Sequence, residues 1–495
     1  MAIGAREARV VIVGAGFSGI GMAIGLRERG VEDFVVLERA GEVGGTWQYN
    51  TYPGCRCDVP SHLYSFSFAP NPEWSQTYSR QPEIREYVRR VVDEYGIRPH
   101  ILTDTEVKGA AWSEDKQRWE IETSQGDFSA EILITGTGPL TEPKLPDVPG
   151  METFRGEVMH SARWDHDYEL AGKRVASIGT GASAIQYVPE IQKEVDKLYV
   201  FQRTAPWVLP HSNRPITDYE RTVYRRFPRA QRFVRNAVYA SRELLVLGFV
   251  KDPRLMRLLE KLGRAHREKQ ISDPELRAKV TPKFSLGCKR ILPSNDWYQA
   301  LQEPNVELVT GALAGVRENS VVDEHGTERD VDAIILGTGF HVADPPVGEF
   351  VRGRDGRLMS EVWNGRPQAY FGASVPGFPN FFLLLGPNTG LGHSSMIYMI
   401  ESQIEHVLAA VTTMDRLGAR TIEVRPEAYE AFNRDLDERL AGTVWQEACS
   451  TWYFDVSGRN AALWPDWTWR FRRRAARFDH AAYALAADKP TPVAA

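Results

Sequence analysis

Cysteine is scarce in this chain. Four occur in 495 residues, Cys55, Cys57, Cys288 and Cys449, too few and too scattered for a disulfide framework, and the count fits a reducing cytosol. Long apolar runs are missing as well. No stretch approaches the roughly 18 apolar residues of a membrane span, and the nearest candidate, Leu244 to Val250, is short and flanked by charge. The apolar run Val10 to Val13 breaks at once into glycine, so no secretion signal is read there, and a soluble, cytoplasmic protein is expected. A strong charge of either sign is also absent: 60 Lys and Arg against 65 Asp and Glu leave -5. A mildly acidic chain attracts neither nucleic acid nor a membrane as its main partner, which leaves small-molecule chemistry.

What is present is the composition of a folded, multidomain enzyme, 42% hydrophobic and 25% charged. At about 150 residues per domain the length predicts two to four domains. Arg9 to Val13 runs into Gly14, an apolar helix-like stretch follows, and Asp33 to Leu37 ends at Glu38, which is a βαβ unit. A second unit starts at Lys173 to Ile178, turns at Gly179 and re-emerges as Lys197 to Phe201, ending near Arg203. Two such units imply two bound nucleotides.

Two further apolar strands, Ile132 to Thr135 and Ala333 to Leu336, each end in Gly-Thr-Gly. That repeat marks where the chain leaves one sheet and where it returns. The predicted architecture is α/β, with two Rossmann-like dinucleotide-binding domains, the second inserted into the first. Residues 1–150 and 335–495 form the first domain, and 151–215 with 281–334 form the second. Residues 216–280 alternate basic and apolar residues at helical spacing and read as a helical insertion. This insertion is expected to cap the second domain; a membrane-surface role for its basic amphipathic face is the alternative. After Arg474 a frayed tail is expected.

The first turn reads Gly14-Ala15-Gly16-Phe17-Ser18-Gly19 between a strand and a helix. Backbone N–H groups there can face a pyrophosphate at close approach. Glu38 ends the next strand, where a carboxylate accepts from ribose hydroxyls and repels a 2′-phosphate, which selects FAD or NAD over NADP, and FAD is assigned here. The second turn reads Gly179-Thr180-Gly181-Ala182-Ser183-Ala184, and its second strand ends in Arg203-Thr204 in place of an acid. A guanidinium pairs with a 2′-phosphate, so NADPH is assigned here. Disulfide reductases also carry two such folds, but Cys55-Arg56-Cys57 would close too tight a ring for their redox pair.

Residues Phe154 to Asp165, FRGEVMHSARWD, lie just before the second glycine turn. They resemble the FxGxxxHxxxW(P/D) fingerprint of Baeyer–Villiger monooxygenases, the class B flavin-dependent monooxygenases, with Phe154, Gly156, His160 and Trp164 all in place. The resemblance continues through Gly44-Gly45-Thr46-Trp47, Tyr52-Pro53-Gly54-Cys55-Arg56-Cys57-Asp58, Gly287-Cys288-Lys289-Arg290 and Thr451-Trp452-Tyr453. The family often has alanine where Cys55 stands, and the stretch after Trp452 departs from its pattern.

The resemblance implies insertion of one oxygen atom beside a ketone carbonyl, giving an ester or lactone, through a peroxide formed at flavin C4a from O2 after reduction by NADPH. It implies Arg290 as the catalytic arginine, Asp58 orienting it, and His160 coupling the domains. Arg39, Gly45, Thr46, Trp47, Cys57, Asp58 and Tyr64 would join Gly14, Gly16, Phe17, Ser18, Gly19 and Glu38 at FAD, and Asn388 would lie at the flavin in the turn Gly386 to Gly390. Gly179, Thr180, Gly181, Ala182, Ser183, Arg203, Thr204 and Lys289 would hold NADP, with Trp452 on its nicotinamide side. The expected partners are a ketone and O2, with no metal, nucleic acid or membrane, in a monomer or weak homo-oligomer. S- or N-oxygenation, or an NADPH oxidase without oxygenation, are the alternatives.

Overall fold

In the computed structural model residues 6–446 and 451–486 are described. The first apolar run becomes the strand Arg6–Val13, fully buried from Val10 to Ile12 and paired in parallel with Phe34–Leu37 on one side and Phe128–Thr135 on the other. A strand with both faces covered reads as a continuous apolar run, as here. The sheet runs in the order Val351–Arg352, Val107–Ser113, Arg118–Thr123, Phe128–Thr135, Arg6–Val13, Phe34–Leu37 and Ile101–Leu102, and Phe381–Leu383 also pairs with Phe128–Thr135. A second sheet is parallel throughout: Val306–Thr310, Lys197–Gln202, Arg174–Ile178, Ala333–Leu336 and Glu157–His160.

The chain leaves the first sheet after Thr135, builds the second, and returns after Leu336 to add strands to the first. The two connecting segments touch: Pro143 bridges Phe340, Lys144 N donates to Gly339 O at 2.9 Å, and Thr338 Oγ1 donates to Lys144 O at 2.6 Å.

The insertion is helical, with helices Asp218–Arg226, Pro228–Glu243, Met256–Gln270 and Pro274–Lys279. The first opens on a capping box between Thr217 and Glu220. Its docking differs from the expected cap on the second domain. Gln231, Arg235, Tyr239 and Glu243, four residues apart, face the first unit. Arg235 Nη1 donates to His62 O at 2.8 Å and Ser65 O at 3.0 Å, and Gln231 Nε2 donates to Asn71 O at 2.6 Å. Tyr239 stacks on Tyr398 with ring centroids 4.8 Å apart. Glu243 accepts from Thr468 N at 3.0 Å and lies 3.1 Å from His393 Nε2. The irregular segment around residues 62–71 turns carbonyl groups inward, and long polar side chains satisfy them where an apolar face would not. The second unit is met by the last two helices: Met256–Gln270 lies beside Val208–Leu209 and Trp297–Ala300, and Gln202 Nε2 donates to Lys279 O at 2.8 Å.

Part of the expected tail is folded. Tyr483–Ala486 forms an antiparallel ladder with Thr421–Val424, and Tyr483 is buried with its hydroxyl on His406 Nε2 at 2.8 Å. The rest of that stretch, residues 487–495, lies outside the described residues, as does Cys449. Cys55 and Cys57 are buried free thiols, and Cys288 is buried as well.

Candidate active site

The first glycine turn delivers the helix Phe17–Glu28 end-on. Its N-terminus carries no side-chain cap and no acid in the first turn, so its N–H groups stay open for an anion. Close approach explains the glycines. A Cβ on Gly19 would stand 1.8 Å from Gly14 O, and Gly45 faces Gly16 across the turn. Ser18 is buried behind them, and the Phe17 ring packs on Tyr64 at 5.4 Å. Glu38 is buried and accepts from Ala15 N at 2.7 Å and Ala40 N at 2.9 Å. Arg39 pairs with Glu142 at 3.0 Å and lies over the Tyr49 ring, whose other neighbour is Arg163. A cavity of about 440 Å³ opens there, lined by Arg39, Tyr49, Asp104 and Arg163 among others.

The short helix Thr46–Tyr49 follows Gly45 and places Trp47, whose Nε1 donates to Tyr64 OH at 3.0 Å. Burial pushes the Tyr64 hydroxyl and the Cys57 thiol well above their ordinary pKa values, so both stay protonated. Next to them Arg290, from the far side of the insertion, meets Asp58. Nη2 and Nε donate to the same carboxylate oxygen, Oδ2, at 2.6 and 2.9 Å, and Nη1 donates to Leu391 O at 3.1 Å. Three of five guanidinium N–H groups are so used and two remain. The Asp58 charge raises the Arg290 pKa still further, so the guanidinium is a permanent cation. Tyr453 is buried beside this pair, its hydroxyl pushed up to about 12 by burial. The sequence reading stopped one residue short of it, at Trp452, which is largely exposed and packs edge-on against Tyr453 at 4.4 Å.

The second turn, Gly179 to Ser183, leads into Ala184–Ile191, again uncapped and without an acid in its first turn. Thr180 Oγ1 donates to Thr204 O at 3.3 Å, which draws the end of Lys197–Gln202 towards the glycines. Arg203 is exposed, and neither it nor Lys289 forms an ion pair among the described residues. Burial, and then the charge of Arg203, lower the Lys289 pKa. Two close cations without a carboxylate make a site for a polyanion. Lys289 Nζ also lies over the Phe284 ring, on the wall of a cavity of about 430 Å³ bordered by Lys283 and Arg264.

Two further residues named from the sequence, His160 and Asn388, stand away from the Arg290–Asp58 pair. His160 ends the edge strand of the second sheet and is buried against Phe340, where the chain crosses back. Its Nδ1 accepts from Ala162 N at 3.1 Å, and burial lowers its pKa to about 4, so it is neutral near pH 7. No hydrogen bond or ion pair links it to Arg290 or Asp58 among the described residues, which fits a role in joining the domains and not in the chemistry. The fingerprint as a whole packs that joint: Phe154 and the Asp332 carbonyl leave no room for a Cβ at Gly156, and Trp164 lies on Tyr187 at 5.6 Å. Asn388 is committed internally, donating to Asn460 O and Leu463 O and accepting from Arg459 Nη2. Both of its amide N–H groups are thus spent inside the protein, and the next helix starts only at Met396.

Gln186 was not singled out in the sequence. From the second unit's helix it accepts from Tyr52 OH and Arg56 N, both at 3.1 Å, and donates to Arg56 O at 3.2 Å. It thereby ties that helix to the loop that carries Asp58. Only its place in a glycine-led helix could have hinted at this.

A profile of the pyridine nucleotide-disulphide oxidoreductase family matches residues 11–224, which span both glycine turns. A Baeyer–Villiger monooxygenase of Streptomyces coelicolor is 51% identical over 492 residues, covering 99% of this chain and 95% of that protein. An oxidized steroid monooxygenase bound to NADP superposes with a TM-score of 0.86 at 30% identity, covering 98% of this chain and all of that one. OTEMO in complex with FAD and NADP superposes at 0.87 with 26% identity, over 98% of this chain and 100% of that one.

Proposed function

The chain belongs to the Baeyer–Villiger monooxygenases, and from that premise we propose that it uses FAD, NADPH and O2 to insert one oxygen atom beside a ketone carbonyl, giving an ester or lactone. One observation carries the reading. Arg290 and Asp58, 232 positions apart, meet beside Trp47, Tyr64 and Cys57, and the arginine keeps two N–H groups unspent.

The residues present fit both nucleotides. The open N-terminus of Phe17–Glu28 and the buried Glu38 suit the pyrophosphate and ribose of FAD, and the uncompensated Arg203 and Lys289 suit a 2′-phosphate. Bound FAD, reduced by NADPH, supplies the activation of O2. Asp58 holds the Arg290 guanidinium in one orientation through two contacts. The two remaining N–H groups stabilise negative charge as it develops on oxygen during attack on the carbonyl. Protonated Tyr64 and Cys57 add no competing anion to that space. On this reading residues 1–150 and 335–495 bind FAD, 151–215 and 281–334 bind NADP, and 216–280 form the insertion between them.

The test is product formation from a panel of ketones and thioethers, measured together with NADPH consumption. Wild type should convert a ketone to an ester, and Arg290→Ala should lose that product by about 10²–10³-fold, as when one charge-stabilising donor is removed from an active site. Oxidation of thioethers alone, or NADPH consumed with equal hydrogen peroxide and no response to ketone, would overturn the reading.

A further inference from the structure

The insertion has a second face that the oxygenation reading leaves unused. Met256–Gln270 buries Met256 and Gly263 inward. Beside that inward stripe, Leu255, Leu258 and Leu262, at i, i+3 and i+7, point out and are 53%, 74% and 46% exposed. Leu244 and Leu247, at the end of the preceding helices, and Phe233 are exposed as well. Three leucines in line on one exposed helix are not the scattered single apolar residues of an ordinary surface.

Lys251, Arg254, Arg257 and Lys261 border these leucines, and none of the four has a carboxylate partner among the described residues. Over residues 218–270 fourteen Lys and Arg stand against six Asp and Glu, although the whole chain carries -5. The remainder is therefore more acidic than the total suggests, and the expectation of no membrane contact, drawn from that total, averaged two opposite surfaces.

We propose that this face docks on an anionic lipid surface, with Leu255, Leu258 and Leu262 entering the acyl boundary and Lys251, Arg254, Arg257 and Lys261 meeting the headgroup phosphates. Charge complementarity selects the occupant: a leucine stripe bordered by unpaired cations is the pattern of an interfacial helix. The inward side of the same elements reaches the catalytic loop. A Cβ on Gly287, three residues before Arg290, would meet Phe249 at 2.9 Å and Met256 at 3.1 Å. The docked helices would thus hold the apolar side of the active site towards the lipid.

The experiment is flotation of the flavin-loaded full chain with vesicles of phosphatidylcholine alone or mixed with phosphatidylglycerol. Wild type should float with the anionic vesicles, bind neutral ones at least tenfold more weakly, and be released at about 0.5 M salt, where screening is short-ranged. L258E/L262E and R254E/R257E/K261E should each weaken binding at least tenfold while flavin content and ketone turnover in free solution stay at wild-type values. Failure of wild type to bind anionic vesicles would overturn the proposal, as would unchanged binding by either variant. Sedimentation showing a wild-type dimer that L258E/L262E dissolves, without vesicle binding, would assign the face to a second copy and overturn it equally. Binding is read without ketone, so its failure leaves the oxygenation reading standing.

Discussion

The two nucleotide sites share a turn, an uncapped helix and a strand end, yet their charges are left in opposite states. Glu38 is buried and already bonded to two backbone amides of its own unit. Arg203 and Lys289 sit without a carboxylate, one exposed and the other depressed in pKa by burial and by its neighbour. The first site is complete before its nucleotide arrives and asks that nucleotide only to fit. The second holds two cations close together, which the proposed 2′-phosphate would relieve. This contrast suits a cofactor that stays beside one that exchanges.

The comparison breaks most severely at Glu38. Replacing it with Ala removes the acceptor proposed for the ribose and leaves Ala15 N–H unsatisfied in a buried place, an expected loss on the order of 100-fold in FAD retention. The flavin-to-protein absorbance ratio after purification checks it, and retention of full flavin would mean that the glycine turn alone holds the cofactor. At the second site, Arg203→Ala combined with Lys289→Ala should raise KM for NADPH by roughly 100-fold and leave KM for NADH unchanged. A parallel loss with NADH would show that the variant disturbs adjacent Arg290 instead.

A pH series sharpens the same point. Burial and the charge of Arg203 hold the Lys289 pKa below the usual lysine value, so its positive charge is lost as pH rises through that lowered value. KM for NADPH should therefore climb on the alkaline side earlier than a solvent lysine would allow, and Lys289→Arg should flatten the rise. The smallest effect expected is at the latch between the sites. Gln186→Ala removes three hydrogen bonds that join the second unit's helix to the Asp58 loop, and at about 1 kcal/mol for each net bond it should multiply the share of NADPH lost as hydrogen peroxide several-fold. KM for NADPH should stay within about twofold, since Gln186 makes no phosphate contact on this reading.

Legibility in the sequence followed distance along the chain. The glycine turns, Glu38 and Arg203 were readable because strand, turn, helix and strand end lie within one local unit, and the repeated Gly-Thr-Gly told where the second unit enters and leaves. Gln186 and Tyr453 were not, since a glutamine in a helix and a tyrosine after Trp452 gain meaning only from partners more than a hundred residues away. Asn388 misled for the same reason: Pro-Asn-Thr-Gly reads as a turn facing a ligand, while its amide is spent on residues 459–463. The insertion was readable as helices but not in its docking, because Gln231 and Arg235 look solvent-facing until the inward carbonyl groups of residues 62–71 are known.

The contact between the two connecting segments has a consequence of another kind. Because Pro143 and Phe340 lie side by side, the inserted stretch enters and leaves its host at one place on the chain's path. Every strand of the host sheet lies before that point or after it. A short splice from residue 143 to residue 340 would close the host sheet without displacing a strand, while taking with it Arg290, the partner of the host's Asp58.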